Sequence, residues 1–230
     1  YVVVIVKHFN YVCCFGEWST EYFYNAGNQT ITPGSPLLRQ DSYKSELGCA
    51  DGDSIVQFEQ AVVWVSKSKT HGKSVHFLDG MTPVKVSTRY IEKYLNAAEV
   101  VAGTANKIKS FAYKIAGHTF YVMNLIAQDL TFVYDFDEQS WYQWTSYYSA
   151  AEHYYAIFAA TEFNNFTIGV HPTSGVLYKI DTSLVDDDGA AIYWRVITSN
   201  IDAGTYHRKF FRRGEVVGDK VSATMSIRHS

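Results

Sequence analysis

Apolar and polar positions along the chain fall into short alternating runs broken by small polar residues, the pattern of strands separated by tight turns. Four stretches repeat one design: a strand of β-branched and aromatic residues, a turn of Gly, Ser, Thr, Asn or Asp, then a second strand ending in an acid or amide. The first joins Asn10-Tyr11-Val12-Cys13-Cys14-Phe15-Gly16 to Glu21-Tyr22-Phe23-Tyr24-Asn25. The second joins Ala61-Val62-Val63-Trp64-Val65 to Ser74-Val75-His76-Phe77-Leu78-Asp79. The third joins Gly117-His118-Thr119-Phe120-Tyr121-Val122-Met123 to Thr131-Phe132-Val133-Tyr134-Asp135. The fourth joins Asn165-Phe166-Thr167-Ile168-Gly169-Val170 to Val176-Leu177-Tyr178-Lys179-Ile180-Asp181.

The central residues of these units, Val12, Val63, Tyr121 and Ile168, are 51, 58 and 47 positions apart. A four-stranded propeller blade takes about 40 to 50 residues, so the spacing predicts an all-β, propeller-like architecture of about four blade units, possible also as part of a larger propeller. A stacked β-sandwich is the rival arrangement of the same strand pairs.

Two stretches break the repeat. Ser87-Thr88-Arg89-Tyr90-Ile91-Glu92-Lys93-Tyr94-Leu95-Asn96 places apolar or aromatic residues at 90, 91, 94 and 95 behind a hydroxyl residue, which predicts a short capped helix near 88–96. Asp186-Asp187-Asp188-Gly189 marks the second break. The blades are expected over 1–188 and a separate, incomplete β region over 189–230, with strands at 192–197, 215–217 and 221–227. The run Tyr1-Val2-Val3-Val4-Ile5-Val6 reads as a strand entered partway, and it is far shorter than the ~20 apolar residues a spanning helix needs.

Composition sharpens this. Of 230 residues, 47% are hydrophobic and 16% aromatic, which supports a packed core and favours sheet. The 20 basic and 23 acidic residues give a net charge of −3, without the positive excess on which nucleic-acid binding over a whole face depends. The three cysteines form no C-x-x-C pair and read as buried thiols of a reducing compartment.

Candidate chemistry is sparse. The sequence lacks a G-x-S-x-G elbow, an H-E-x-x-H helix, a P-loop and a strand-borne G-x-G-x-x-G, so no catalytic residue, metal ligand set or cofactor is assigned and an enzyme is not expected. His71 and His76 are better explained as solvent-facing or ladder-capping residues, and Asp186 to Asp188 as a solvated turn rather than a calcium loop. Gly117-His118 with Tyr134-Asp135 parallels the Gly-His and acidic positions of WD40 blades, an analogy of architecture only. The densest basic cluster, Arg208, Lys209, Arg212 and Arg213 interleaved with Phe210 and Phe211, is either a DNA-contacting strip or a charged subunit contact.

The order of several motifs resembles the packaged-DNA stabilisation, or tail hub and nozzle, proteins of short-tailed bacteriophages. One passage is Phe15-Gly16-Glu17-Trp18-Ser19-Thr20-Glu21-Tyr22-Phe23-Tyr24-Asn25-Ala26-Gly27. A second runs from Leu47-Gly48-Cys49-Ala50 through Val63-Trp64-Val65 and Gly72-Lys73-Ser74-Val75 to Val86-Ser87-Thr88-Arg89-Tyr90-Ile91-Glu92. The third combines Gly117-His118-Thr119-Phe120-Tyr121-Val122, Thr131-Phe132-Val133-Tyr134-Asp135 and Trp141-Tyr142-Gln143-Trp144. The chain departs from the pattern at Val65-Ser66 and in the long connection from Asn25 to Lys44.

The resemblance implies a non-enzymatic virion protein assembled in the host cytoplasm. It implies a homo-oligomeric ring, usually a hexamer, below the portal and its adaptor, which retains the packaged genome and passes it at infection. The ring's partners would be portal, adaptor and other tail proteins, with transient DNA contact and no membrane insertion. Tyr147, Tyr148, Tyr154 and Tyr155 are candidate interface aromatics, a placement that a buried blade strand would explain equally well. The alternative function is a receptor- or glycan-binding propeller module.

Overall fold

The computed structural model describes residues 1–27, 34–58, 61–97, 108–164, 166–172, 174–184, 186–197, 204 and 207–208. The chain divides into two compact units, 1–193 and 194–230, and every strand described below lies in the first.

Blade 1 is a meander of β1 (Val2–His8), β2 (Tyr11–Gly16), β3 (Thr20–Asn25) and β4 (Leu37–Arg39), each antiparallel to the next. Blade 2 begins with a broken strand. β5 (Gly48–Cys49) and β6 (Val56–Phe58) both pair with β7 (Ala61–Ser68), and a 3₁₀ turn at Gly52–Ser54 separates them; β8 (Gly72–Asp79) and β9 (Thr82–Lys85) follow. Helix α1 (Arg89–Ala97) comes next, with the Thr88 hydroxyl 3.5 Å from the Ile91 N–H at its start and Ile91 and Leu95 buried.

Blade 3 comprises β10 (Ile108–Ile115), β11 (His118–Leu125), β12 (Leu130–Asp135), β13 (Ser140–Tyr148) and β14 (Ala151–Tyr154). Blade 4 has β15 (Ala159–Phe163), β16 (Phe166–Val170) and β17 (Leu177–Ile180), and a small hairpin of β18 (Asp186–Asp187) and β19 (Ala190–Ala191) ends the described strands. The four blades are arranged as in a β-propeller, and the repeat units seen in the sequence are the two middle strands of blades 1 to 3 and the last two of blade 4.

Successive side chains of a strand point to opposite faces. In the middle blades both faces are buried, so alternate residues serve different junctions. Val62 and Trp64 of β7 join Cys13, Phe15 and Tyr22 of blade 1, whereas Val63 and Val65 join Tyr121, Met123, Phe132 and Tyr134 of blade 3 with Ile91 and Leu95 of α1. Val122 and Val133 instead face Phe111, Tyr113 and Ile157 at the junction with blade 4. This double burial is why β7, β11 and β12 read as near-continuous apolar runs.

Polar latches cross each junction. Between blades 1 and 2, the Thr20 hydroxyl donates to Leu47 O (2.7 Å), His8 Nε2 donates to Gly80 O, and Lys67 pairs with Glu17. Between blades 2 and 3, Trp141 Nε1 donates to Val86 O (2.7 Å) and the Tyr121 hydroxyl to Ser54 O (2.9 Å); one Asp51 oxygen caps the 3₁₀ turn while the other accepts from Ile108 N–H. Between blades 3 and 4, the buried Asn124 amide donates to Ile157 O (2.8 Å) and accepts from the Thr131 hydroxyl, which itself accepts from Tyr155 N–H. Buried polar groups cost about 1–3 kcal/mol when left unpaired, so these bonds hold the blades in one mutual arrangement.

Among the described residues, the Tyr22 hydroxyl is the buried side-chain N or O atom with no hydrogen-bond partner. Tyr22→Phe is therefore expected to stabilise the protein by about 1 kcal/mol, read as a raised denaturant midpoint. A loss of stability on removing this hydroxyl would show that it is satisfied in solution.

The structure differs from the sequence reading after β19. Residues 192–197 form no strand, and Ile192, Tyr193, Trp194, Val196 and Ile197 are exposed: an apolar run alone does not make a strand without a partner to take its backbone bonds. The strands expected at 215–217 and 221–227 lie outside the described residues. No helix among the described residues is long and apolar enough to cross a membrane.

Candidate functional site

The aromatic hairpin of β13 and β14 is the most distinctive surface of blade 3. The first half of β13 pairs with β12, from Asp135↔Ser140 to Thr131↔Trp144, and its second half pairs only with β14. Ser149 and Ala150 form the two-residue tip, both at positive φ (52° and 62°), the backbone of a type I′ turn that matches strand twist. Tyr147 and Tyr148 stand beside that tip at 48% and 44% exposure.

One carboxylate fixes this hairpin to the blade. Asp129, at φ 53° in the β11–β12 turn, accepts from His153 Nδ1–H (2.7 Å) and from Tyr154 N–H (2.7 Å), and Tyr148 stacks on the His153 ring at 4.1 Å. Tyr154 is half-buried beside Phe158, and Tyr155 packs edge-on against Trp144 at the blade 3–4 junction, where burial pushes its hydroxyl above the ordinary tyrosine range. The four tyrosines therefore divide into an exposed pair and an inward pair, and only Tyr147 and Tyr148 are presented outward.

The basic cluster is not brought together in the described structure. Arg208 is exposed, while Lys209, Arg212 and Arg213 lie outside the described residues. Several lysines of the blades are paired with acids, among them Lys109 with Asp53, Lys85 with Glu92 and Lys179 with Asp181.

Two histidine networks carry the remaining polar chemistry. Ser66 Oγ lies 2.8 Å from His76 Nδ1, a pairing that would suit a nucleophile and its base. Both side chains are buried between strands, and Ser66 also bonds Ser74, so no substrate reaches them. Burial, then the Lys85 cation, pushes the His76 imidazole down to about 4. At the rim of blade 3, His118 Nδ1–H donates to Asp135 Oδ2 (2.7 Å), which raises the histidine; Asp135, although buried, is held below its usual range by that bond and by the N–H groups of Glu138 and Asp137. His118, Asp135 and Glu138 are the described residues whose ligand atoms cluster closely enough to share a metal ion. In the Asp186–Gly189 stretch, Asp186 and Asp187 form β18, and Asp188 and Gly189, both at positive φ, make the tight turn to β19.

The junction latches were missed in the sequence, although one of them left a signal there. Asn124 interrupts the apolar run Phe120-Tyr121-Val122-Met123-Asn124-Leu125, and a fully buried amide needs partners.

Antiparallel sheets stacked face to face through aromatic junctions, each traced from its first strand to its last and tied to the next, define a bladed β-propeller. The family model described as bacteriophage P22 Gp10, beta-propeller, matches residues 1–185, and the chain belongs to that family. It is accordingly a structural protein of a bacteriophage, associated with the virion. No curated protein matches the chain.

Proposed function

We propose that the protein is a non-enzymatic component of the tail hub or nozzle of a short-tailed phage, forming a homo-oligomeric ring, a hexamer, below the portal and adaptor. The ring retains the packaged genome and provides the channel for its ejection. The family match over residues 1–185 is the observation that carries this reading. A net charge of −3 suits it, because a wall that neutralised many phosphates would gain counterion-release affinity and resist ejection. Ring closure needs heterologous contacts, and the outward Tyr147 and Tyr148 supply rigid aromatic surface for one.

The test is assembly of particles with and without the protein. Particles lacking it are expected to lose packaged DNA, and electron microscopy of complete virions to place it in a ring at the portal vertex. Retention of the genome without it, or its absence from that vertex, would overturn the assignment. Tyr147→Lys is expected to alter folding stability by no more than about 0.5 kcal/mol, as surface changes generally do, while reducing ring assembly. Unchanged rings in this variant would remove the hairpin from the interface.

A second reading has a specific feature behind it. An open groove at the end of blade 1 is lined by Phe9, Tyr11 and Tyr24 with the amides of Asn10, Asn25 and Gln40, together with Lys7 and Val12, and its aromatic faces and amides suit sugar rings. Binding on a glycan array that Tyr24→Ala abolishes would favour a receptor-recognition propeller; an array without hits would count against it.

A further inference from the structure

We propose that the rim of blade 3 is a divalent-cation site formed by His118, Asp135 and Glu138, suited to zinc and neighbouring transition metals rather than calcium or magnesium. One ligand atom from each residue lies within 4.8 Å of the other two. Asp135 and Glu138 belong to one acidic stretch, the end of β12 and the turn after it, and the β11–β12 pairing brings His118, 17 positions away, against them.

Each ligand is already oriented. Asp135 Oδ1 accepts from the N–H groups of Asp137 (2.9 Å) and Glu138 (3.2 Å), which leaves Oδ2 directed at His118. The Tyr142 hydroxyl donates to Glu138 Oε2 and leaves Oε1 for an ion. Asp137 accepts from Thr119 N–H (2.7 Å), tying the turn to β11, and the His118 ring lies nearly parallel to Phe120 at 5.9 Å. Such outer bonds are what hold metal ligands in place.

An imidazole nitrogen with two carboxylate oxygens is a borderline donor set, which favours zinc over the hard, all-oxygen preference of calcium and magnesium. Zinc bonds of about 2.0–2.2 Å in tetrahedral geometry set neighbouring ligand atoms roughly 3.3 Å apart. The His118 Nδ1 to Asp135 Oδ2 separation is 2.7 Å, so an ion replaces the shared proton with a small opening of the pair. Glu138 is exposed and His118 only part-buried, which leaves the fourth position to water and gives an ion a path in. Bound there, a cation would tie the start of β11 to the end of β12 and the following turn.

The experiment is calorimetric titration of the full chain with zinc chloride near neutral pH, for wild type, His118→Gln and Glu138→Gln, with calcium and magnesium chloride as separate arms. Wild type is expected to take up one zinc ion and unfold at a higher temperature with it, and each substitution to weaken uptake by roughly tenfold or more. Cobalt(II) in place of zinc should give the visible absorption of a four-coordinate site in wild type and lose it in Glu138→Gln, whose amide oxygen can still accept from the Tyr142 hydroxyl at this exposed turn position. Lack of saturable zinc uptake below about 1 mM, or equal uptake by wild type and Glu138→Gln, would overturn the proposal and leave the trio as a hydrogen-bonded brace. A response to calcium or magnesium as large as that to zinc would overturn the metal preference.

Discussion

Trp64→Ala should lower the free energy of unfolding by about 3–5 kcal/mol, the range for removing a large buried aromatic from a packed core. Trp64 is almost fully buried on β7, and its ring meets Phe15 of blade 1 edge-on at 5.1 Å. Its Nε1–H donates to Gly48 O at 3.1 Å, so truncation opens a cavity and also strands a carbonyl within it. The surroundings have little freedom to collapse into that space. A Cβ on Gly48 would lie 2.2 Å from the Glu17 carbonyl, which shows how closely β5 is pressed against the β2–β3 turn of blade 1. Denaturant unfolding should report the loss as a lower midpoint, and thermal unfolding as a fall of roughly 10 °C for a unit of this size. Trp64→Phe keeps much of the volume but not the donor, and should fall between the two. A cost below about 1 kcal/mol for Trp64→Ala would mean that the first two blades do not share a core.

The period of the blades was legible because their middle strands are long and apolar, and that regularity follows from burial on both faces. Among the flanking strands, β1 showed as the apolar run over residues 1–6, whereas the shortest ones gave no such signal. β5 has two residues, β4 has three, β9 contains Pro83, and a 3₁₀ turn separates β5 from β6. Their place depends on the long neighbour to which they pair, not on a pattern of their own. Trp64 and Trp141 could be singled out as large aromatics, but their partners lie 16 and 55 positions away: Gly48 O is set only when β5 pairs with β7, and Val86 O only when blade 3 stacks on blade 2. The site residues behaved alike. Gly117-His118 and Tyr134-Asp135 marked two strand ends that the sheet joins, whereas nothing local separates Tyr147 and Tyr148 from Tyr154 and Tyr155. Their difference arises where β13 leaves β12 and continues as a hairpin. The density of the basic cluster pointed to a surface, yet density along a chain does not fix a shared face.

Acidification should destabilise the protein through His76, by about 2–3 kcal/mol between about pH 7.5 and about pH 4.5. Folded, the imidazole is pushed down to about 4, first by burial among Ser66, Ser74 and Trp64 and then by the Lys85 cation, with Ser74 and Glu92 acting weakly the other way. Unfolded, it titrates near the ordinary 6.5. Between those values the unfolded chain binds the proton that the folded one excludes, so stability is complete above about 6.5 and falls as pH drops toward 4. Glu92 and Asp135 are held below their usual ranges, and their contributions fade only as pH falls further, through those depressed values. His118 has the opposite sign: raised by its bond to Asp135, it stabilises most at low pH and fades as pH rises through its raised value. It therefore offsets part of the His76 effect rather than mimicking it. Urea unfolding of wild type and His76→Gln across the same pH range separates them, since the amide can still meet Ser66 but does not titrate. The variant should start less stable at neutral pH and lose distinctly less on acidification. An equally steep pH dependence in His76→Gln would assign the acid sensitivity to another group.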